Sequence, residues 1–222
     1  MSVKVLSTKK LGVKQELLIG NFNLKQASFI DITIDKNIND IPTSEYYLIS
    51  SKNSVFSLIE NNLVQGLQES KVICIGNNTR NILQQNGINP IICANDSDDL
   101  IKEIGNYSSI KSLCYLSGNL FRNELIDSLI SLGMNVEIRI MYNTYLLNRK
   151  CDSKFDAVMF FSPSAVKSYI KGGNSNSVIA FCIGKTSAIE ARKYFENVFY
   201  PTIAKVENVI KLLNEYFENE KD

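Results

Sequence analysis

The 222-residue chain has no histidine. That absence excludes a Ser-His-Asp triad, a Cys-His dyad and any His-liganded metal, because each needs an imidazole that titrates near neutral pH or offers a lone pair. Proline is scarce at 4 residues and glycine stands at 11, so collagen-like and low-complexity chains are excluded. An excess of charge of one sign is also lacking, since 24 Lys and Arg against 23 Asp and Glu leave a formal net charge of +1. That balance argues against a nucleic-acid surface, whose affinity rests on many cations neutralising phosphates. What remains is a globular composition, with 45% hydrophobic and 21% charged residues, in a length that allows one large domain or two small ones.

The cysteines, Cys74, Cys93, Cys114, Cys151 and Cys182, contain no C-x-x-C pair that would grip a zinc ion or run thiol exchange. Cys74, Cys114 and Cys182 lie in apolar runs and read as small buried hydrophobes in a reducing compartment. Long apolar stretches are missing too. The longest, such as Val178 to Ile183, fall well short of the roughly 20 residues that a membrane span needs, and no apolar signal region precedes the strand-like run from Val3 to Leu6. The expectation is a soluble, cytoplasmic protein.

Short runs rich in Val, Ile and Leu alternate with longer segments of helical periodicity, the pattern of an α/β protein on parallel sheet. Strands are predicted at Val3 to Leu6, Tyr46 to Ile49, Val72 to Ile75, Leu113 to Leu116, Ala157 to Phe161 and Val178 to Ile183. Helices are predicted at Ser54 to Glu60, Thr79 to Asn86, Arg122 to Leu132, Ala165 to Ile170, Ser187 to Phe195 and Ala204 to Phe217.

Within this alternation a unit recurs roughly 110 residues apart. Leu6-Ser7 matches Leu116-Ser117, and Leu48 to Val55 matches Met159 to Val166. Ile75-Gly76-Asn77-Asn78-Thr79 matches Ile183-Gly184-Lys185-Thr186-Ser187, and Leu100-Ile101 falls opposite Val209-Ile210. Matches in one order at nearly one offset point to two domains of the same α/β architecture, flavodoxin-like or Rossmann-like.

Each repeated turn places Ser, Thr, Asn or Gly between a strand and a helix. Such residues cap helices by satisfying the N–H groups of the first turn, a role open to Ser51, Asn53, Thr79, Ser162, Ser164, Thr186 and Ser187. The same helix starts also attract anions, and in an open parallel sheet they gather at the carboxyl edge of the strands, where ligands bind. Two such domains facing one another would form a cleft suited to a ligand rich in carboxylates or phosphates. Three tempting motifs fail. Gly184-Lys185-Thr186 lacks the Walker A glycine, since Ile179 stands in its place. Gly172-Gly173 does not follow a strand in the dinucleotide pattern. The Asp96, Asp98 and Asp99 cluster lacks the glycine and terminal glutamate of a calcium loop and reads as a solvated helix start.

Taken in order, the segments Ser117-Gly118-Asn119-Leu120 with Arg122 and Leu125, Val136 to Tyr142-Asn143-Thr144, Phe161 to Val166, Ile183-Gly184 with Thr186, and Pro201-Thr202 resemble the uroporphyrinogen-III synthase family. The resemblance runs over nearly the whole chain. It departs at the first turn, where many members carry Arg after a Thr and this chain has Thr8-Lys9-Lys10. Lys keeps the charge and loses the bidentate fork for a carboxylate.

A tandem reading of the repeat would cut the chain near residue 110. The resemblance implies instead that residues 1–34 and 147–222 form one discontinuous domain and 35–146 an inserted second one. Antiparallel connecting strands near Phe29 to Ile34 and Val136 to Tyr142 would join them, with an active-site cleft between the domains. It further implies a cyclising lyase that turns hydroxymethylbilane, a linear tetrapyrrole with eight carboxylates, into uroporphyrinogen III with its last ring inverted. No metal, nucleotide or redox cofactor is implied. A monomer is expected, with possible hand-over of substrate from hydroxymethylbilane synthase and no nucleic-acid or membrane partner. Tyr142 matches the family's Tyr-x-Thr pattern and is the expected proton donor for the leaving hydroxyl. Thr79, Thr186, Ser187, Ser51, Asn53, Ser162, Ser164, Gly118, Asn119 and Lys9 are the expected substrate-binding residues. The alternatives are a non-catalytic two-domain binder of a polyanionic metabolite and a sugar or nucleotide transferase using the same kind of cleft.

Overall fold

The computed structural model describes residues 3–219. Along the chain come β1 (Lys4–Ser7), α1 (Val13–Glu16), β2 (Asn23–Gln26), β3 (Ile30–Ile34), β4 (Tyr46–Ile49) and α2 (Lys52–Glu60). A 3-10 turn at Val64–Leu67 leads into β5 (Lys71–Ile75), α3 (Asn77–Gln85), β6 (Ile92–Ala94) and α4 (Ser97–Ile104). There follow β7 (Ser112–Gly118), α5 (Asn123–Ser131) and the long β8 (Asn135–Leu146). The chain closes with β9 (Ala157–Phe160), α6 (Pro163–Lys171), β10 (Ile179–Cys182), α7 (Lys185–Ala191), β11 (Val198–Phe199) and α8 (Val206–Asn219).

These elements divide into two compact units, Met1–Asp31 with Tyr145–Asp222, and Ile32–Thr144. The chain leaves the first unit within β3 and returns to it within β8. The first unit has a five-stranded sheet in the order β11-β10-β9-β1-β2, every neighbouring pair parallel. The second has a six-stranded sheet in the order β3-β8-β7-β4-β5-β6, parallel from β8 through to β6.

Numbering the first sheet's strands along the chain gives the doubly wound order 2-1-3-4-5. The second sheet gives that order too when its strands are counted from β7 round to β6, so β7 answers to β1, β8 to β2, β4 to β9, β5 to β10 and β6 to β11. The repeat in the sequence is thus a repeat in space, with the chain of the second unit opened at a different connection.

Burial follows from the parallel pairing, which places apolar side chains on both faces of each central strand. In the first unit Leu6, Val158, Phe160 and Ala180 pack on one face with Ala165, Val166 and Tyr169 of α6, while Val5, Ala157, Met159 and Phe181 pack on the other with Val209, Ile210 and Leu213 of α8. In the second, Leu48, Ile73, Leu113 and Tyr115 face Leu100 of α4 and Leu125 of α5, and Tyr47, Ile49, Val72 and Leu116 face Val55 of α2 and Leu83 of α3. Each fully buried Val, Leu, Ile, Phe or Met among them contributes about 1.5–3 kcal/mol relative to exposure. Cys74, Cys114 and Cys182 are buried free thiols, and burial raises the Cys114 and Cys182 thiols to about 12.

Four helices begin two residues before their first predicted residue: α2 at Lys52, α3 at Asn77, α6 at Pro163 and α7 at Lys185. Polar first-turn residues carry no apolar periodicity, so the pattern shows only where the buried face starts. Among the described residues no helix is long and apolar enough to cross a membrane.

Candidate functional site

In each unit the parallel strands end along one edge, and the turns that follow them carry the residues singled out above. Ligands of doubly wound sheets bind at the switch point, where successive connections leave in opposite directions. In the second unit that point lies between β7 and β4, and in the first between β1 and β9.

At the second unit's switch point, β7 ends in Ser117-Gly118 and is followed by Asn119, while β4 runs out into Ser50 and Ser51. Ser51 is extended and its Oγ accepts the N–H of Asn53 at 3.2 Å, capping α2. One residue earlier, the Ser50 Oγ lies 2.5 Å from the Tyr115 hydroxyl. The β7–β8 register runs evenly to Ser117 opposite Ile140 and then places Gly118 opposite Tyr142, leaving Met141 as an extra residue. Such bulges re-aim a side chain. Met141 and the half-buried Tyr142 consequently both pack against the same core, although residues adjacent in a regular strand face opposite ways.

Tyr142 is seated from two sides. A Cβ on Gly118 would overlap its ring, so only glycine leaves the space the ring fills. Asn119 holds the strand that carries it: the Asn119 N–H donates to the Tyr142 carbonyl at 3.2 Å, the Oδ1 accepts the Thr144 N–H at 2.7 Å and the Nδ2 donates to the Thr144 carbonyl at 3.3 Å. Burial raises the Tyr142 hydroxyl above the ordinary tyrosine value of 10.0, the Tyr115 phenol adds to that shift, and hydrogen bonding from Ser51 and Asn53 opposes it. The phenol keeps its proton at neutral pH; burial makes it a weaker acid, and the Ser51 and Asn53 hydrogen bonds work against that shift.

The neighbouring β5–α3 turn differs from expectation in how the helix is capped. Gly76, at φ +88°, is the N-cap of α3, and no side chain makes a capping bond there. Thr79 sits within the first turn, buried at 4% exposure. Asp96, by contrast, caps α4 by accepting the Asp99 N–H at 2.9 Å, as a helix start would.

In the first unit, Ser162 caps α6 by accepting the Ala165 N–H at 3.1 Å, and its Oγ lies 3.0 Å from that of Ser164. Lys9, just past β1, holds its Nζ 4.6 Å from the centre of the Phe161 ring, the residue before that cap. Gly184, not Thr186 or Ser187, is the N-cap of α7. Thr186 is half-buried in the first turn and Ser187 is buried.

The structure thus gathers Ser51, Asn53, Gly118, Asn119 and Tyr142 at one switch point and Lys9, Ser162 and Ser164 at the other, with Thr79 and, separately, Thr186 and Ser187 at the adjoining helix starts. Sequence reasoning did not single out Ser50 or Tyr115, and Thr144 entered it only as the Thr of the Tyr-x-Thr pattern. Tyr115 lies inside an apolar strand and looks like core, and its position one residue before the Leu116-Ser117 match was the available signal. Among the described residues no group of three or more His, Cys, Asp or Glu is placed to hold a metal ion.

The sequence profile of uroporphyrinogen-III synthase HemD matches residues 28–211. The chain belongs to the uroporphyrinogen-III synthase family. It is accordingly a cyclising lyase of tetrapyrrole biosynthesis, with a tetrapyrrole substrate. No curated protein sequence matches it. Its fold is that of a mutant uroporphyrinogen III synthase from Thermus thermophilus, at a TM-score of 0.70 and 15% identity over 100% of both chains. The uroporphyrinogen-III synthetase of Helicobacter pylori is similar at a TM-score of 0.67 and 16% identity, over 96% of this chain and 99% of that one.

Proposed function

We propose that the chain converts hydroxymethylbilane into uroporphyrinogen III with Tyr142 as proton donor. The observation that carries this reading is the half-buried phenol, protonated at neutral pH and aimed by a bulge at the switch point of a family member. Donation from the Tyr142 hydroxyl lets the substrate's terminal hydroxyl leave as water, giving an azafulvene. The last pyrrole attacks it to form a spiro intermediate, which fragments and recloses with that ring inverted. The proton lost as the pyrroles regain aromaticity restores the phenol, so the cycle balances without a redox partner.

Substrate carboxylates are taken by the helix starts and small hydroxyls at Ser51, Asn53, Thr79, Ser162, Ser164, Thr186 and Ser187, and by Lys9, whose ammonium supplies charge without a fork. Gly118 and Asn119, expected from the resemblance to bind substrate, act instead by seating Tyr142. The remaining proposals are residues 1–34 with 147–222 and residues 35–146 as the working domains, no cofactor, a cytoplasmic monomer, and receipt of the unstable substrate from hydroxymethylbilane synthase. Since the free bilane also cyclises unaided to isomer I, most of the catalytic work is conformational: productive closure must outrun the spontaneous one.

The test is to incubate the protein with freshly generated hydroxymethylbilane, oxidise the products and separate uroporphyrins I and III. Isomer III in excess over a protein-free control is the expected result. Isomer I alone from a folded sample would contradict it and leave a binder of polyanions.

A further inference from the structure

We propose that Tyr115 and Ser50 are positioning residues for the reaction, a locked hydroxyl pair that fixes the turn presenting Ser51 and Asn53 to Tyr142. The proposal rests on the reading of Tyr142 as proton donor.

Tyr115 is 3% exposed. It is registered against Leu48 in the β4–β7 pair, so its side chain shares a sheet face with Leu48 and, two residues on, with Ser50. That alignment lets the phenol and the Ser50 Oγ meet at 2.5 Å. Phe121 stands edge-on to the Tyr115 ring, centroids 6.5 Å apart at 70°, and limits where the ring can go. The pair thus ties the first residue after β4 to a rigid ring on β7.

The next residue, Ser51, makes the N-cap bond from which α2 starts, and Asn53 supplies the N–H that it accepts. Both side chains act on the Tyr142 phenol, and the Tyr115 phenol is close enough to affect it as well. The backbone of β7 carries Tyr115 at one point and, three residues later, Gly118, against which the Tyr142 ring lies. One strand therefore fixes both the ring of the donor, through Gly118, and, through the Tyr115–Ser50 pair, the turn that leads into Ser51 and Asn53. Release of the Ser50 end would free the turn without touching substrate. A misplacement of about 1 Å at a reacting group costs up to ~100-fold in rate.

The experiment compares Tyr115→Phe, Ser50→Ala, the double variant, Tyr142→Phe and Tyr115→Phe/Tyr142→Phe, each checked by thermal melting, for isomer III formation from fresh hydroxymethylbilane. The expected result is a fall in kcat of ~10-fold to ~100-fold in Tyr115→Phe, with KM within about twofold. Ser50→Ala should show the same loss, the Tyr115/Ser50 double variant no more, and Tyr115→Phe no further loss once Tyr142 is Phe. Unchanged kcat in Tyr115→Phe and Ser50→Ala, multiplying losses in their double variant, or an undiminished Tyr115→Phe effect on top of Tyr142→Phe would overturn the positioning role while leaving Tyr142 as donor. Full turnover in Tyr142→Phe would overturn both readings. Ser50→Ala, at a half-buried turn, carries the test should Tyr115→Phe fold poorly.

Discussion

The ring of Tyr142 occupies the space in which a side chain at Gly118 would stand. The contact exists because β8 carries one extra residue between the partners of Ser117 and Gly118, which swings Tyr142 against the strand it pairs with. Even a methyl group at position 118 meets the ring, so any side chain there displaces Tyr142.

Gly118→Ala should therefore move Tyr142. Turnover is expected to fall at least ~10-fold, with a smaller effect on the melting temperature than a core truncation produces. Steady-state kinetics beside a thermal melt checks this, and normal turnover in the variant would show that the ring position does not matter.

Asn119 makes both of its side-chain bonds to the backbone of Thr144. Asn119→Ala leaves a half-buried N–H and C=O without partners and should cost about 1–3 kcal/mol in denaturant unfolding. Asn119→Asp keeps an acceptor for the Thr144 N–H and loses the donor, so its cost should lie between wild type and Ala. Equal stability of all three would remove the clamp from the account.

Gly76 starts α3 from φ +88°, a conformation that an L side chain adopts only under strain. Gly76→Ala is expected to lower stability by about 1–3 kcal/mol although nothing lies within 4 Å of the added Cβ. A neutral effect in urea denaturation would show that the turn relaxes.

Alkali should destabilise the fold. Burial holds the Cys114 and Cys182 thiols near 12, against an ordinary value of 9.0. Below about pH 9 both states keep these protons and the stability is intact; as pH rises toward 12 the unfolded chain ionises first and binds fewer protons, so stability falls. Urea midpoints measured from pH 8 to 11 should decline, and less steeply in Cys114→Ala/Cys182→Ala. An equal slope in that variant would assign the decline to other groups.

The central strands of the two sheets were legible because they are buried on both faces and read as unbroken apolar runs, and Tyr46 to Ile49 matches β4 residue for residue, whereas their order within each sheet was not read from the sequence. The strands that escaped are β2, β6 and β11. The first is Asn-Leu-Lys-Gln with one face exposed, the second has three residues and the third two, too little for any period. At the site, Tyr142 and the Ser51 and Ser162 caps carried local signals. The pairing of Gly118 with the Tyr142 ring and of Ser50 with Tyr115 did not, since one depends on a register shift and the other on residues 65 apart in the chain. Gly76 takes the cap position of α3 at φ +88°, an entry conformation that glycine supplies and Thr79 would not, while Gly184 caps α7 from ordinary extended backbone, for which its residue type gives no structural reason.

The most direct test compares wild type and Tyr142→Phe for the rate of isomer III formation and the ratio of isomer III to isomer I from fresh hydroxymethylbilane, with melting temperatures measured on the same samples. The account predicts excess isomer III from the wild type and a loss of roughly 100-fold to 10,000-fold in rate for the variant, with little change in melting temperature. Equal rates and equal isomer ratios from two equally folded proteins would contradict it.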